Sequence, residues 1–255
     1  MKLTYVPVKI AKSTTLLVTS TVESSLRTQT AGWLLRHTDE AEQAVFADWN
    51  GDEPQLGTAS GALNVNGAMA LCAWLALQND LPLGETWSFP LPLSAVPAPL
   101  PCAVTTVNTC CIVTVTMPDA EFFSVPAGDL ALPAVRFPGV SHVIAPAGAV
   151  SRVDAVELLR RWSRTLPDPA VGLLFWNGDA LSFDPLILDG ASGAAVWRQS
   201  CGSAAAAVGA YLAGRAGETV SLKQPGGIMA VTRADALTVT ATAEVGRGKT
   251  VDLVF

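Results

Sequence analysis

Two uncharged segments stand out in the pattern of hydrophobic and polar positions. Residues 67–77 and 204–212 carry no charged side chain and almost no polar one. A helix of that composition has no face to offer water, so each segment reads as a central buried helix. Residues 151–166 read differently, as an amphipathic helix. Val153, Val156, Leu159 and Trp162 fall on one face, Glu157, Arg160 and Arg164 on the other, and Pro167 stops the run.

Much of the rest alternates with the period of strands. Residues 3–9 and 14–19 form two Val-, Thr- and Leu-rich strands joined through Ala11-Lys12-Ser13. A short helix over 21–28 and a strand over 31–35 follow, then a hairpin of 44–48 with 55–59 around Asn50-Gly51. Residues 81–101 make a Pro-rich connection, and 102–108 and 110–117 two more strands. Beyond a strand at 139–144 and the amphipathic helix, strands at 171–176, 181–188 and 194–199 lead into Cys201. Strands at 220–224, 228–232, 237–243 and 250–255 complete the chain, with Pro225-Gly226-Gly227 as a turn. Many short strands with one buried helix per half predict an α+β fold.

The halves repeat. Laying Ala73-Trp74-Leu75-Ala76 over Ala210-Tyr211-Leu212-Ala213 superposes the two buried helices, and Gly84-Glu85-Thr86 then echoes Gly217-Glu218-Thr219 downstream. The expected division is a first lobe over 1–118 and a second over 119–247, with the last strand, about 248–255, returning to the first. In the helix register Asn64 falls where Cys201 falls.

Composition narrows the function classes. Half the residues are hydrophobic and 15% are charged, enough apolar material for two cores. Net charge is −6 with Lys and Arg scattered, which argues against a nucleic-acid surface. The sequence has neither a run of membrane-spanning length nor a signal-peptide core, so a soluble cytoplasmic protein is expected. Five cysteines without paired spacing fit a reducing compartment, and two histidines leave little for a Cys/His metal site; no metal is expected. At the start of the second buried helix stand the Cys201 thiol, the Ser200 and Ser203 hydroxyls and the N–H groups of a first helical turn. Together they describe an anion-binding helix end that carries a thiol.

Three stretches resemble the diaminopimelate epimerase superfamily of cofactor-independent isomerases, with histidine racemases of opine-metallophore pathways most alike. Trp197-Arg198-Gln199-Ser200-Cys201-Gly202-Ser203 resembles the second catalytic-cysteine motif. Lys223-Gln224-Pro225-Gly226-Gly227-Ile228 resembles the Gln-Pro-Gly-Gly strand turn, and Asn66-Gly67-Ala68 the tail of the first motif, Cys-Gly-Asn-Gly-Ala. The resemblance implies two pseudo-twofold-related lobes, each a mostly antiparallel sheet wrapped round a central helix. The site would lie where the two helix N-termini meet. It also implies an amino-acid substrate, no cofactor, and the homodimer common in the superfamily.

Inverting an α-carbon without a cofactor takes a base on one face and an acid on the other, and the family uses two cysteines. This chain reads Asn64-Val65 where the first motif has Cys-Gly. The expected function is amino-acid racemisation or epimerisation with Cys201 as one acid/base. A one-base lyase or dehydratase and a non-catalytic amino-acid-binding homologue stand as alternatives. Expected substrate contacts are Asn64, Asn66, Gly67, Gly202, Ser203, Ser13 and His142. Their bland readings are helix caps for Asn64, Asn66 and Ser203 and a structural histidine for His142, and for Cys201 a small core residue.

Overall fold

Strand-forming sequence dominates, and the computed structural model, which describes residues 1–190, 192–212 and 217–253, contains seventeen strands and four α-helices among them. The first lobe runs β1 (Lys2–Ile10), β2 (Ser13–Val18), α1 (Arg27–His37), β3 (Ala41–Asn50), β4 (Glu53–Gly57), α2 (Val65–Gln78), β5 (Thr86–Leu91), β6 (Leu100–Val107) and β7 (Cys110–Thr116). The second runs β8 (Glu121–Ala127), β9 (Leu130–Phe137), β10 (Val140–Pro146), α3 (Ala155–Trp162), β11 (Ala170–Asn177), β12 (Ser182–Asp189), β13 (Ala195–Trp197), α4 (Gly202–Leu212), β14 (Glu218–Gln224), β15 (Gly227–Arg233) and β16 (Leu237–Val245). The final strand is β17 (Lys249–Asp252).

The pairings repeat as the sequence does. Strand β2 lies antiparallel to β1 and parallel to β3, which turns back antiparallel into β4; β10 relates to β9, β11 and β12 in the same way. Strands β5, β6 and β7 form an antiparallel meander, and β14, β15 and β16 form its counterpart. These are two lobes related by a pseudo-twofold axis, each wrapped round one buried helix. Strand β16 also pairs with both β7 and β1, and β17 pairs with β1, so hydrogen bonds run continuously between the lobes. The repeat breaks locally between β2 and β3. Thr14 lies opposite Ala41 but Thr15 opposite Gln43, leaving Glu42 as an extra residue, whereas β10 and β11 stay in register throughout.

Helices α2 and α4 share one hydrophobic core. Their small residues are a packing requirement: a Cβ built on Gly209 would stand 2.4 Å from Val231 Cγ1, so α4 lies directly on β15. The other two helices cover the outer sheet faces. Thr30, Ala31 and Leu34 of α1 are buried there in the first lobe, and Ala155, Leu159 and Trp162 of α3 in the second. Each such large apolar side chain contributes roughly 1.5–3 kcal/mol by leaving water.

Several elements differ from the pattern reading. The strand expected at 31–35 is part of α1, because Thr30, Ala31 and Leu34 follow the helical spacing that buries one face. The helix expected over 151–166 is confined to Ala155–Trp162, and Val153, placed on its apolar face, is 90% exposed before its start. The Pro-rich connection holds β5, whose Trp87 and Phe89 rings pack 4.4 Å apart. Residues Ala213, Val254 and Phe255, which entered the repeat and the last expected strand, lie outside the described residues.

Candidate active site

The N-termini of α2 and α4 open onto one cavity of about 70 Å³, lined by Asn64, Val65 and Asn66 from one helix start and by Ser200, Cys201, Gly202 and Ser203 from the other. Asn64 and Cys201 hold the same place on their helices. Each precedes the first helical residue, and each carbonyl accepts the first intrahelical bond, from Ala68 and Ala205 respectively, at 3.0 Å. The helix ends interlock through Asn66, which is buried. Its Nδ2 donates to the Ser200 carbonyl at 3.1 Å and its Oδ1 accepts the Gly202 amide at 2.8 Å. Gly202 admits no side chain, since a Cβ there would stand 2.6 Å from Val65 Cγ1.

The surroundings of the two equivalent residues differ. Asn64 caps α2 through its Oδ1, which accepts the Gly67 amide at 2.7 Å, and its Nδ2 donates to Gln43 Oε1 at 3.1 Å. Gln43 Nε2 donates in turn to Thr15 Oγ1 at 2.7 Å. Around Cys201, side chains from elsewhere take the first amides: the Cys201 amide donates to Gln224 Oε1 of the Gln-Pro-Gly-Gly turn at 2.7 Å and the Gly202 amide to Asn66 Oδ1, while the thiol contacts Ser203. Cys201 Sγ lies 3.4 Å from Ser203 Oγ, and Ser203 Oγ lies 2.9 Å from His142 Nε2. The thiol is partly accessible, whereas Cys72, Cys102 and Cys111 are buried in the core.

Electrostatics around the cavity follow from burial. His142 is fully buried and its imidazole pKa is pushed down to about 3, because desolvation disfavours the cation. Burial also lowers the Arg198 pKa, opposed by the charges of Cys201, Glu42 and Asp189. Its guanidinium lines the cavity and donates to the Glu42 carbonyl.

The structure thus brings Cys201, Asn64, Asn66, Gly202, Ser203 and His142 to one cavity. Gly67 stands just behind, where a Cβ would meet Val45 Cγ1 at 2.8 Å, and serves as the amide that Asn64 caps. Ser13 is placed elsewhere: it is buried, is not part of the cavity lining, and its hydroxyl donates to Glu42 Oε2 at 2.9 Å. Gln43, Ile187, Asp189 and Arg198 line the cavity and escaped the sequence reading. Arg198 sat inside the Cys201 motif, and Gln224 inside the Gln-Pro-Gly-Gly turn, but Gln43 and Asp189 carry no local signal; only the strand pairing brings them here. Among the described residues no group of His, Cys, Asp and Glu is arranged to hold a metal ion, and no helix is long and apolar enough to cross a membrane.

Known structures share the architecture. A protein from Pseudomonas aeruginosa described as a predicted epimerase matches with a TM-score of 0.73 at 14% identity, over 100% of both chains. A hydroxyproline epimerase from Agrobacterium vitis with bound trans-4-hydroxy-L-proline matches with a TM-score of 0.64 at 10% identity, over 98% of this chain and 91% of that one. A probable proline racemase from Agrobacterium radiobacter with bound carbonate gives 0.57 at 12% identity, over 99% and 93%. At these identities the likeness is one of fold. No curated protein matches the chain in sequence. The family model of the histidine racemase CntK N-terminal domain matches residues 2–247. The chain therefore belongs to that histidine racemase domain family, and so to the isomerases that racemise or epimerise amino acids on a diaminopimelate epimerase-like fold.

Proposed function

We propose that the chain acts on the α-carbon of a free amino acid, histidine first among them, with Cys201 as the side-chain acid/base. One observation carries the reading: two equivalent helix ends face one cavity, and of the residues at those two positions only Cys201 has an exchangeable acidic proton. The substrate carboxylate sits between the helix ends, taking first-turn amides such as those of Asn66 and Ser203. Each helix terminus acts as about half a positive charge. That field stabilises the dianionic character the carboxylate gains as the α-proton leaves, which is where preorganised donors lower a barrier. Cys201, as thiolate, removes the proton from one face and, as thiol, returns it.

The opposite face decides between racemisation and one-base chemistry. Asn64 has no proton of useful acidity, and its carboxamide already caps α2 and bonds Gln43. Inversion then uses a water held on that side, and the arrangement favours exchange over inversion. The same observation supports a second reading, in which Cys201 takes the α-proton and a β-substituent leaves.

The test is α-proton exchange in deuterated water with L- and D-histidine and a panel of other amino acids, followed by mass and chirality. Deuterium incorporation that disappears in Cys201→Ala supports the reading. Inversion alongside exchange identifies a racemase, and exchange with retention identifies one-base action. Exchange that survives Cys201→Ala removes Cys201 from the chemistry.

A further inference from the structure

The extra residue in β3 is Glu42, and the first lobe has it where the second has none. A bulge re-aims a side chain away from the direction strict alternation would give it, and such bulges gather beside active sites. Here the new direction leads to the other lobe. Both Glu42 carboxylate oxygens accept the Gln199 amide, at 3.1 Å each, and Oε2 also accepts the Ser13 hydroxyl at 2.9 Å. The Glu42 carbonyl accepts the Arg198 guanidinium. Arg198 and Gln199 are the third and second residues before Cys201. On the near side of the thiol, Ser200 Oγ donates to the Ile10 carbonyl at 2.6 Å, and Asn66 holds both the Ser200 carbonyl and the Gly202 amide. The segment carrying Cys201 is therefore fastened to the first lobe by Ile10 and Asn66 at residues 200–202 and by Glu42 alone at residues 198–199.

We propose that Glu42 is a positioning residue for Cys201: the bulge sets its carboxylate and carbonyl where together they fix the Arg198–Gln199 segment, and through it the direction of the thiol. This rests on the reading of Cys201 as the acid/base. The carboxylate suits the task because a charged acceptor makes the stronger hydrogen bond to an amide. Burial raises the Glu42 pKa, opposed by the Ser13 and Gln199 hydrogen bonds and the Arg198 charge, so the acid form appears above the ordinary carboxylate range. Lys9, Lys12 and Glu40 share the outer groove with it. Protonation takes away acceptor capacity, so the fastening weakens on the acid side.

The experiment compares Glu42→Ala and Glu42→Gln, with Glu40→Gln as a control, by two readouts: kinetics of α-deuterium incorporation from pH 4.5 to 8, and backbone amide exchange of residues 198–202. Glutamine keeps one acceptor oxygen and cannot ionise. Glu42→Ala is expected to lose on the order of ten- to a hundredfold in kcat, the scale of a small misplacement of a reacting group, with KM within threefold of the parent. Its 198–202 amides exchange faster. Glu42→Gln recovers most of the rate at neutral pH and falls less steeply than the parent on the acid side, where only the protonation of the Cys201 thiolate remains, and Glu40→Gln matches the parent. Parent-like kcat and parent-like amide protection in Glu42→Ala overturn the proposal. Activity that persists in Cys201→Ala overturns the catalytic reading instead; the amide exchange, which needs no turnover, then decides by itself whether Glu42 fixes the segment.

Discussion

The two central helices begin alike and end their resemblance at one side chain. Before α2 the N-cap residue is Asn64, whose own carboxamide accepts the Gly67 amide. Before α4 the same position is Cys201, and the first amides pass to two residues from elsewhere, the Cys201 amide to Gln224 and the Gly202 amide to Asn66. The difference shows what frees a side chain at a helix start for chemistry. A capping residue is held by the helix it caps, so a thiol is available only where another group satisfies the amides. At α4 such groups come from both lobes, Gln224 and Asn66, whereas at α2 the residue in the equivalent place accepts the Gly67 amide itself.

The comparison breaks hardest at the thiol. Cys201→Ala is expected to lower α-proton exchange by about 10²- to 10⁴-fold, the range a positioned acid/base supplies, while circular dichroism and melting temperature stay close to the parent.

Next comes His142, buried on β10 of the second lobe. Its native pKa of about 3 lies below the ordinary value of 6.5. The unfolded chain therefore binds more protons between those values, and stability rises with pH across that window and falls on acidification. The slope contributed approaches about 1.4 kcal/mol per pH unit well inside the window. Denaturant melts at pH 7.5, 6 and 5 check it: the stability lost by the parent between 7.5 and 5 should exceed the loss in His142→Gln, and equal losses refute the burial argument.

A third test targets the interlock. Gly202→Ala should lose about 1–3 kcal/mol by forcing a methyl against Val65, and Val65→Gly should recover part of that loss in the double variant. Additive losses would mean that the two sites do not meet.

The smallest expected effect is the most informative about chemistry. Asn64→Cys removes a cap worth about 1 kcal/mol and places a second thiol opposite the first, so inversion should rise relative to exchange. A variant that exchanges no faster and inverts no more would show that position 64 does not face the reacting carbon.

Much of the fold was legible because the two buried helices leave no alternative to a central position, and Cys201 announced itself by standing at the start of one. The residues that were missed share a different property. Ile187 and Asp189 reach the cavity through the pairing of β12 with its neighbours, and Gln43 reaches Asn64 because β3 lies parallel to β2. Such long-range neighbours leave no local trace. Ser13 lies outside the cavity lining, bonded to Glu42 instead, and the bulge that brings Glu42 beside it is a property of strand register, invisible in a hydrophobic pattern. Residues 31–35 read as a strand rather than as part of α1 because the helix's buried stripe is only three residues long and sits among β-favouring Thr and Trp.

The pairing of β1 with β16 and β17 has a consequence in time as well as in space. The strand that begins the first lobe finds partners more than two hundred residues later in the chain. Contacts of that separation are slow to form, because a large loop must close before they stabilise anything. During synthesis the first lobe therefore waits with the edges of β1 and β7 open until residues 237–252 have emerged from the ribosome, and the junction between the lobes is among the last parts of the molecule to be completed.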